Sequence, residues 1–482
     1  MRTHEETEVL IVGAGPGGLT AAVALARQGI AVTLVERRAE LSSLPRATGV
    51  SIRSMEVLRS FGLESEIRAG GVDVEWQQWF CETLVRAGEG HGVPSGFPTR
   101  AQSALVTPAP PACVPQDHLE PVLLEHLSSL GTARIELGTD VTGVEQRSDG
   151  LRVSLGDDRA IDARYLIAAD GAHSAVRRAL GIEMHGPDNL LEARTVLFRA
   201  PVWDLVGDSA YVLYAIQHPD AQGIALPAGR DRWLYAAMGP VGSGVATFSE
   251  DEMTRRIPIA AGDADLDPQI ERIGSFTFAA QMAESYRAGN AFLVGDAAHR
   301  ATPRGGTGMN TAIHDGYDLG WKLSWVLKGW ADPELLDSYE RERRPLAEHN
   351  VAQSAEPPGT PREDGDLLHA DIGGRIAHAW TKEAGQRVST LDLLGPGLTL
   401  FTGPDPTAWG DALRMVRGRL PVAIRSLDVV TARALGIRGG SALLVRPDGA
   451  PAGWLAPGAA SVFSLGAAIR GSIPPAGVRQ AA

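Results

Sequence analysis

The chain has 482 residues, long for one domain and suited to two or three, and 44% of them are hydrophobic, enough for sizeable cores. With 45 basic and 58 acidic residues the net charge is −13, which excludes a general nucleic-acid binder, since that needs a concentrated positive field. The two cysteines, Cys81 and Cys113, form no CxxC and no metal-ligand pair, no run of about 18 apolar residues suggests a membrane span, and the charged start MRTHEETEVL lacks a signal-peptide core, so a cytoplasmic location is expected.

Residues 8–12 read as a short buried strand, 13–18 as a glycine-rich turn, 19–28 as a helix ending at Gly29, and 31–36 as a second strand. A βαβ unit of this length demands a parallel sheet. The turn, Gly13-Ala14-Gly15-Pro16-Gly17-Gly18, fits G-x-G-x-x-G. Its glycines permit a tight turn and a close backbone approach to a pyrophosphate on the positive end of the following helix. Glu36, at the end of the second strand, can accept the hydroxyls of an adenosine ribose and would disfavour a 2′-phosphate. On these residues alone FAD and NAD both remain open.

Residues 165–169 form another apolar strand, ending in Asp170-Gly171, and a helix after it stops at Gly181. From about residue 184 to 282 the pattern changes to short segments rich in Val, Phe, Tyr and Trp (195–201, 210–217, 232–238), which read as antiparallel strands. Residues 291–294 return to the first pattern and end in Gly295-Asp296. In an open α/β sheet the carboxyl ends of strands form the ligand crevice, so both acids are candidates for sugar hydroxyls; a plain strand-end turn is the alternative for each. Then Pro303-Arg304-Gly305-Gly306-Thr307-Gly308-Met309-Asn310 leads into a helix whose apolar residues Met309, Ile313, Tyr317, Trp321 and Trp325 recur every four positions, a stripe expected to pack in the core. Residues 355–365 are Pro/Gly-rich and charged and read as a linker, followed by a segment of about 115 residues, the size of a further domain.

Taken together and in this order, residues 13–18, Glu36, Pro45-Arg46-Ala47, Gln116, Asp170-Gly171, Gly295-Asp296 and residues 303–310 resemble the aromatic-hydroxylase family of flavoprotein monooxygenases, of which para-hydroxybenzoate hydroxylase is the type. The resemblance runs to about His349. It implies FAD as cofactor, NADPH or NADH as co-substrate, and an α/β fold. A Rossmann-like FAD-binding domain (1–75, 100–183 and 285–350) would carry a mixed or antiparallel-sheet substrate domain (76–99 and 184–284) and a thioredoxin-like C-terminal domain (366–482).

Position by position, the resemblance implies that Gly13, Gly15, Pro16, Gly17 and Gly18 cradle the pyrophosphate, that Glu36 and Arg37 meet the adenosine ribose end, and that Arg46 and Gln116 contact FAD from the early helices. Val141 would offer a backbone contact to adenine, Asp170 would support the pyrophosphate region and nicotinamide-nucleotide binding, and Asp296 would hold the ribityl chain. Pro303, Gly306, Gly308, Met309 and Asn310 would lie against the isoalloxazine, with the helix start stabilising the anionic reduced ring by about 0.3–1 kcal/mol if exposed and up to about 2 if partly buried.

The chemistry the resemblance implies is flavin reduction by the nicotinamide nucleotide, then reaction with O2 to a C4a-hydroperoxide that delivers one oxygen to an aromatic, phenolic or polyketide-type small molecule, with water excluded. A base or proton relay is expected for a phenol. Tyr211, Tyr214, His218 and Tyr235 are candidates, each with a structural alternative, and the catalytic residue stays open; Trp233 and Met238 would suit a flat ligand.

Beyond the linker, Gly373-Gly374-Arg375-Ile376-Ala377-His378, Ser389-Thr390-Leu391-Asp392-Leu393-Leu394 and Arg446-Pro447-Asp448-Gly449 resemble the thioredoxin-like third domain of phenol hydroxylases and actinobacterial polyketide hydroxylases. No cysteine lies beyond Cys113, so dithiol chemistry is excluded there, and packing or homodimer formation is the expected role. Pro451-Ala452-Gly453-Trp454 departs from the family's usual sequence after that Arg-Pro-Asp-Gly. A flavin halogenase is rejected, because no lysine precedes Lys322 and Trp76-Gln77-Gln78-Trp79 lacks that class's motif. A Baeyer–Villiger or epoxidising relative, a flavin-binding accessory protein without turnover, and more remotely an NAD dehydrogenase stay open.

Overall fold

The computed structural model describes residues 4–356, 374–416, 418–457 and 465–469. The first strand, β1 (His4–Val12), is solvent-free from Val9 to Ile11 and runs into the glycine turn. Helix α1 (Pro16–Ala26) follows, starting earlier than the sequence reading because Pro16 takes the first helical position, where its missing N–H costs nothing. β2 (Val32–Glu36) completes the βαβ unit. After β3 (Gly49–Val50) and α2 (Ile52–Ser60) the chain leaves for a second sheet through β4 (Glu75–Cys81) and β5 (His91–Pro94). It returns as α3 (Gln116–Ser129), β6 (Ala133–Leu137), β7 (Val141–Gln146), β8 (Leu151–Leu155) and β9 (Ala160–Ala168).

The second sheet is then completed by β10 (Glu192–Arg199), β11 (Tyr211–Ile216), β12 (Gly223–Pro227) and β13 (Arg232–Gly239), the helix α4 (Glu250–Ala261), and β14 (Gln269–Thr277). β15 (Ala291–Leu293), α5 (Gly308–Leu327) and α6 (Asp337–Ala355) close the first body. In its eight-stranded sheet the neighbours β15–β9–β1–β2–β6 are all parallel. Helices α1 and α5 cross in close contact: a side chain at Gly316 would collide with the Gly17 carbonyl, and one at Gly320 would lie 2.6 Å from the Ala24 Cβ.

The second sheet has seven strands, β14–β10–β13–β12–β11–β4–β5. Alternation along each strand gives it two unlike faces. Val196, Phe198, Tyr214, Trp233 and Tyr235 pack with Met253 and Ile257 of α4 in one core. On the opposite face Leu213, Ile224, Leu226 and Leu234 are only half-buried. Arg232 shares that face with Leu234 and reaches Asp117 of α3 at 2.9 Å, so the half-buried apolar face is the one turned toward the parallel sheet.

The C-terminal body holds β16 (Leu398–Thr402), β17 (Val422–Ser426), β18 (Ala442–Val445) and β19 (Pro451–Leu455) in the order β17–β16–β18–β19, with β16–β17 parallel and the other pairs antiparallel. One sheet face, with Leu398, Leu400 and Leu444, joins the main core, whereas Phe401, Leu443 and Val445 form a core of their own. Trp325 donates to Pro396 O at 2.8 Å, so the aromatic stripe of α5 packs in the core, as expected. The linker reading over residues 355–365 lies mostly outside the described residues. Among the described residues no helix is long and apolar enough to cross a membrane.

Candidate active site

Because β2, β1, β9 and β15 are parallel neighbours, their carboxyl ends form one row carrying Glu36, the glycine turn, Asp170 and Asp296. Backbone bonds lock the row: Gly13 N–H donates to Val35 O at 2.8 Å, Ala169 N–H to Val12 O at 2.8 Å, and Val294 N–H to Ala168 O at 2.9 Å. Gly13 has φ +107°, a conformation that favours glycine. Gly18 has no room for a side chain over the Gly13 carbonyl, but a Cβ on Gly15 would point into open space, in front of the α1 N-terminus. Glu36 braces the turn, accepting from Ala14 N–H at 2.9 Å and Arg38 N–H at 3.0 Å. Arg37 and Arg46 lie exposed. The loop before Val141 is tied in at the same end, Thr139 N–H donating to Glu36 O at 2.8 Å.

Two acids have capacity to spare. Asp170 Oδ2 accepts from Val176 N–H at 3.1 Å, whereas its Oδ1 is buried without a partner. An orphaned carboxylate oxygen costs desolvation energy unless a ligand donates to it. Asp296 is exposed between buried Gly295 and Ala297. Its loop is held from beneath by Asp315, which accepts from His299 Nε2 at 2.7 Å, Arg343 Nε at 2.8 Å and Gly295 N–H at 3.2 Å. Burial opposes ionisation of Asp315, but His299 and Arg343 hold its carboxyl below the ordinary value. Sequence reasoning missed Asp315 and Arg343; the available signal was an acid beside the apolar stripe of a core helix. An open glycine cradle and an unpaired buried acid oxygen, aligned on adjacent strand ends, fit the diphosphate and sugars of an extended dinucleotide.

Of Arg46 and Gln116, both expected on early helices, Gln116 meets the expectation and Arg46 does not. Gln116 opens α3, but Arg46 lies in irregular chain before β3, because Pro45 sets an extended approach. The loop 303–310 turns through Gly305 (φ +77°) and Gly306 (φ +61°) into α5. Pro303 is exposed and Met309 buried. Asn310 clamps the loop to β3: it accepts from Ser51 N–H at 2.8 Å and donates to Gly49 O at 2.9 Å and Gly306 O at 2.7 Å. Beside the loop, Phe97 stacks on Trp76 at 4.6 Å, and side chains at Gly49 or Gly306 would touch its ring.

The tyrosine candidates do not face this space. Tyr214 and Tyr235 point into the core under α4; Tyr214 donates to Ser209 O, and Tyr235 to Ala221 O at 2.9 Å. Burial pushes both hydroxyls above their usual pKa. Tyr211 stacks on Trp79 at 3.9 Å, and His218 caps a turn, accepting from Asp220 N–H at 3.2 Å. Trp233 is likewise buried under α4, so of the two residues suggested for a flat ligand only Met238 lies on the open face. That alternation was decided by strand register, which the sequence pattern left open.

Known proteins match this arrangement along most of the chain. An FAD binding domain family model matches residues 6–354, and an aromatic-ring hydroxylase C-terminal model matches residues 369–473. The aklavinone 12-hydroxylase of Streptomyces peucetius is 34% identical over 84% of this chain and 93% of its own. The tetracenomycin A2 monooxygenase-dioxygenase of Streptomyces glaucescens is 32% identical over 92% of each chain. A solved ternary complex of aklavinone-11 hydroxylase with FAD and aklavinone superposes with a TM-score of 0.88, at 30% identity, over 98% of this chain and 100% of that one. The chain belongs to the FAD-dependent aromatic-ring hydroxylases, monooxygenases of the aromatic polyketide type.

Proposed function

We propose that the protein hydroxylates a flat, polycyclic, polyketide-type phenol, using NADPH or NADH and O2. The observation that carries this is the pairing of the strand-end cleft with an apolar, half-buried sheet face bearing Leu213, Ile224, Leu226 and Leu234. Such a floor takes up planar apolar area, and the cation on it, Arg232, is already paired with Asp117 and Glu271. In this reading residues 1–75, 100–183 and 285–350 hold FAD, 76–99 and 184–284 hold the substrate, and 366–482 pack against both or against a second copy.

Bound FAD supplies hydride acceptance and oxygen activation. The chain's own residues do the rest. Gly13, Gly15, Pro16, Gly17 and Gly18 let the backbone approach the diphosphate, and the α1 N-terminus attracts its charge. Glu36, Arg37, Arg46, Gln116 and Val141 bind the adenosine side, with Asp170 and Asp296 taking sugar and ribityl hydroxyls. Asn310 fixes the loop of Pro303, Gly306, Gly308 and Met309 so that the start of α5 faces the ring, where its unpaired N–H groups favour negative charge. The stacked Trp76–Phe97 pair lies beside the loop, with the Phe97 ring against Gly49 and Gly306. The tyrosines and histidine considered for a base are engaged elsewhere, which leaves deprotonation of a phenol to the substrate, to water or to a group on the cleft side.

The test is product analysis. Purified, yellow holoprotein is given NADPH or NADH with polycyclic and monocyclic phenols under 18O2. Substrate-stimulated nicotinamide oxidation with one labelled oxygen on a ring carbon is expected, with polycyclic phenols favoured. A labelled ester or epoxide would replace hydroxylation by the Baeyer–Villiger or epoxidising alternative, and a flavin spectrum that no phenol bleaches would support an accessory protein without turnover.

A further inference from the structure

Glu120 is a buried carboxyl on α3, one turn after Gln116, and 3% exposed. Among the described residues it forms no ion pair. Its Oε1 accepts from Gln116 Nε2 at 2.7 Å. Gln116 is itself pinned, its backbone N–H donating to Ala47 O at 2.8 Å, beside Arg46. The charges that act on Glu120 come from the β2 end and the segment after it: Arg46 and Arg38 favour its ionisation and Glu36 opposes it. Burial outweighs them and pushes the carboxyl up to about 7.

An amide has a donor end and an acceptor end. Tying the Gln116 nitrogen to Glu120 leaves the carbonyl oxygen as its free end. A carboxylate only accepts, so it admits one orientation of the amide. A protonated carboxyl also donates, and admits both.

We propose that Glu120 is a positioning residue for the cofactor: its carboxylate fixes the Gln116 amide with the carbonyl oxygen presented to the cleft, as acceptor for a hydroxyl of the bound dinucleotide. This rests on the FAD reading of the cleft. Simple charge repulsion has the opposite sign, since a second carboxylate beside Glu36 would weaken binding of an anionic diphosphate when it ionises. Under orientation control, ionisation tightens binding. With the two orientations equally populated in the protonated form, ionisation raises the productive fraction from about a half to nearly one, so the apparent Kd falls about twofold across the carboxyl's titration.

Apoprotein is titrated with FAD, followed by flavin fluorescence, between about pH 6 and about pH 8, for the unchanged chain, Glu120→Gln, Gln116→Ala and the double variant. Affinity of the unchanged chain should rise about twofold with pH. Glu120→Gln should bind more weakly with a flat profile, and should have no further effect once Gln116 is alanine. Affinity that falls with pH, a profile that Glu120→Gln leaves intact, or additive losses in the double variant overturn the proposal. The profile of the unchanged chain decides the sign even where a variant does not fold. A chain that takes up no FAD at any pH fails the cofactor assignment instead.

Discussion

At the scale of single residues, polar groups in the cleft divide into those satisfied by the protein and those left open. Glu36 and Asn310 brace the backbone, so their removal reshapes a loop as well as deleting a contact. Asp296 is different: exposed, and surrounded by buried residues that hold its loop without it. Asp296→Ala should therefore leave the apoprotein's stability within about 0.5 kcal/mol and weaken FAD by about tenfold or more, roughly 1.4 kcal/mol. Urea unfolding and flavin titration of the same preparation check both halves; full flavin occupancy in the variant would remove the ribityl assignment.

At the scale of elements, the positions of α1 and α5 set the site, because both helices aim their N-termini at it. Their contact depends on Gly17 and Gly316, where the backbones meet directly, and on Gly320, which packs against the Ala24 Cβ. Gly316→Ala adds a methyl group against the Gly17 carbonyl and should cost about 1–3 kcal/mol in stability through overpacking. It should also weaken FAD, since relieving the clash moves one helix start relative to the other. Denaturant midpoints and FAD affinity are the measurements, and an alanine variant as stable and as tight as the parent would show that the crossing has slack.

Across the whole molecule, the C-terminal body is bound to the cofactor body by buried charge. Arg375 meets Glu56 in a two-point ion pair, at 2.5 and 2.8 Å, and Arg446 reaches Glu342 at 2.8 Å, which in turn binds the fully buried Lys322 at 3.0 Å. Asp448 closes on Arg446, and Tyr317 of α5 donates to Pro447 O at 3.1 Å. The Arg446-Pro447-Asp448-Gly449 stretch is thus a docking hairpin on the helix that faces the flavin site. Removing Lys322 takes away the ion-pair partner of the buried Asp318, while Glu342 keeps Arg446, and should cost about 3–5 kcal/mol.

Burial alone would raise the Asp448 pKa, but Arg446 holds it at about 2. A depressed folded value gives stability that is present above the ordinary carboxylate range and lost as pH falls through about 2. Thermal unfolding between about pH 5 and pH 2 should show the loss, and Asp448→Asn should flatten that part of the curve.

The amino-acid sequence alone picked out the strand-end row proposed to hold the cofactor, because G-x-G-x-x-G, Glu36, Asp170 and Asp296 are local signals, each a strand end followed by a turn whose spacing survives in the linear chain. It likewise revealed the core stripe of α5 and the existence of a third body. Only the tertiary structure decided which face of the second sheet turns toward the parallel sheet, since a shift of one residue in strand register moves Tyr214, Trp233 and Tyr235 from one face to the other. The supports of the site, Asp315 with His299 and Arg343, and Glu120 with Gln116, were hidden for the same reason: a buried charge is defined by partners that folding brings together across the chain, or by a burial that no local pattern records.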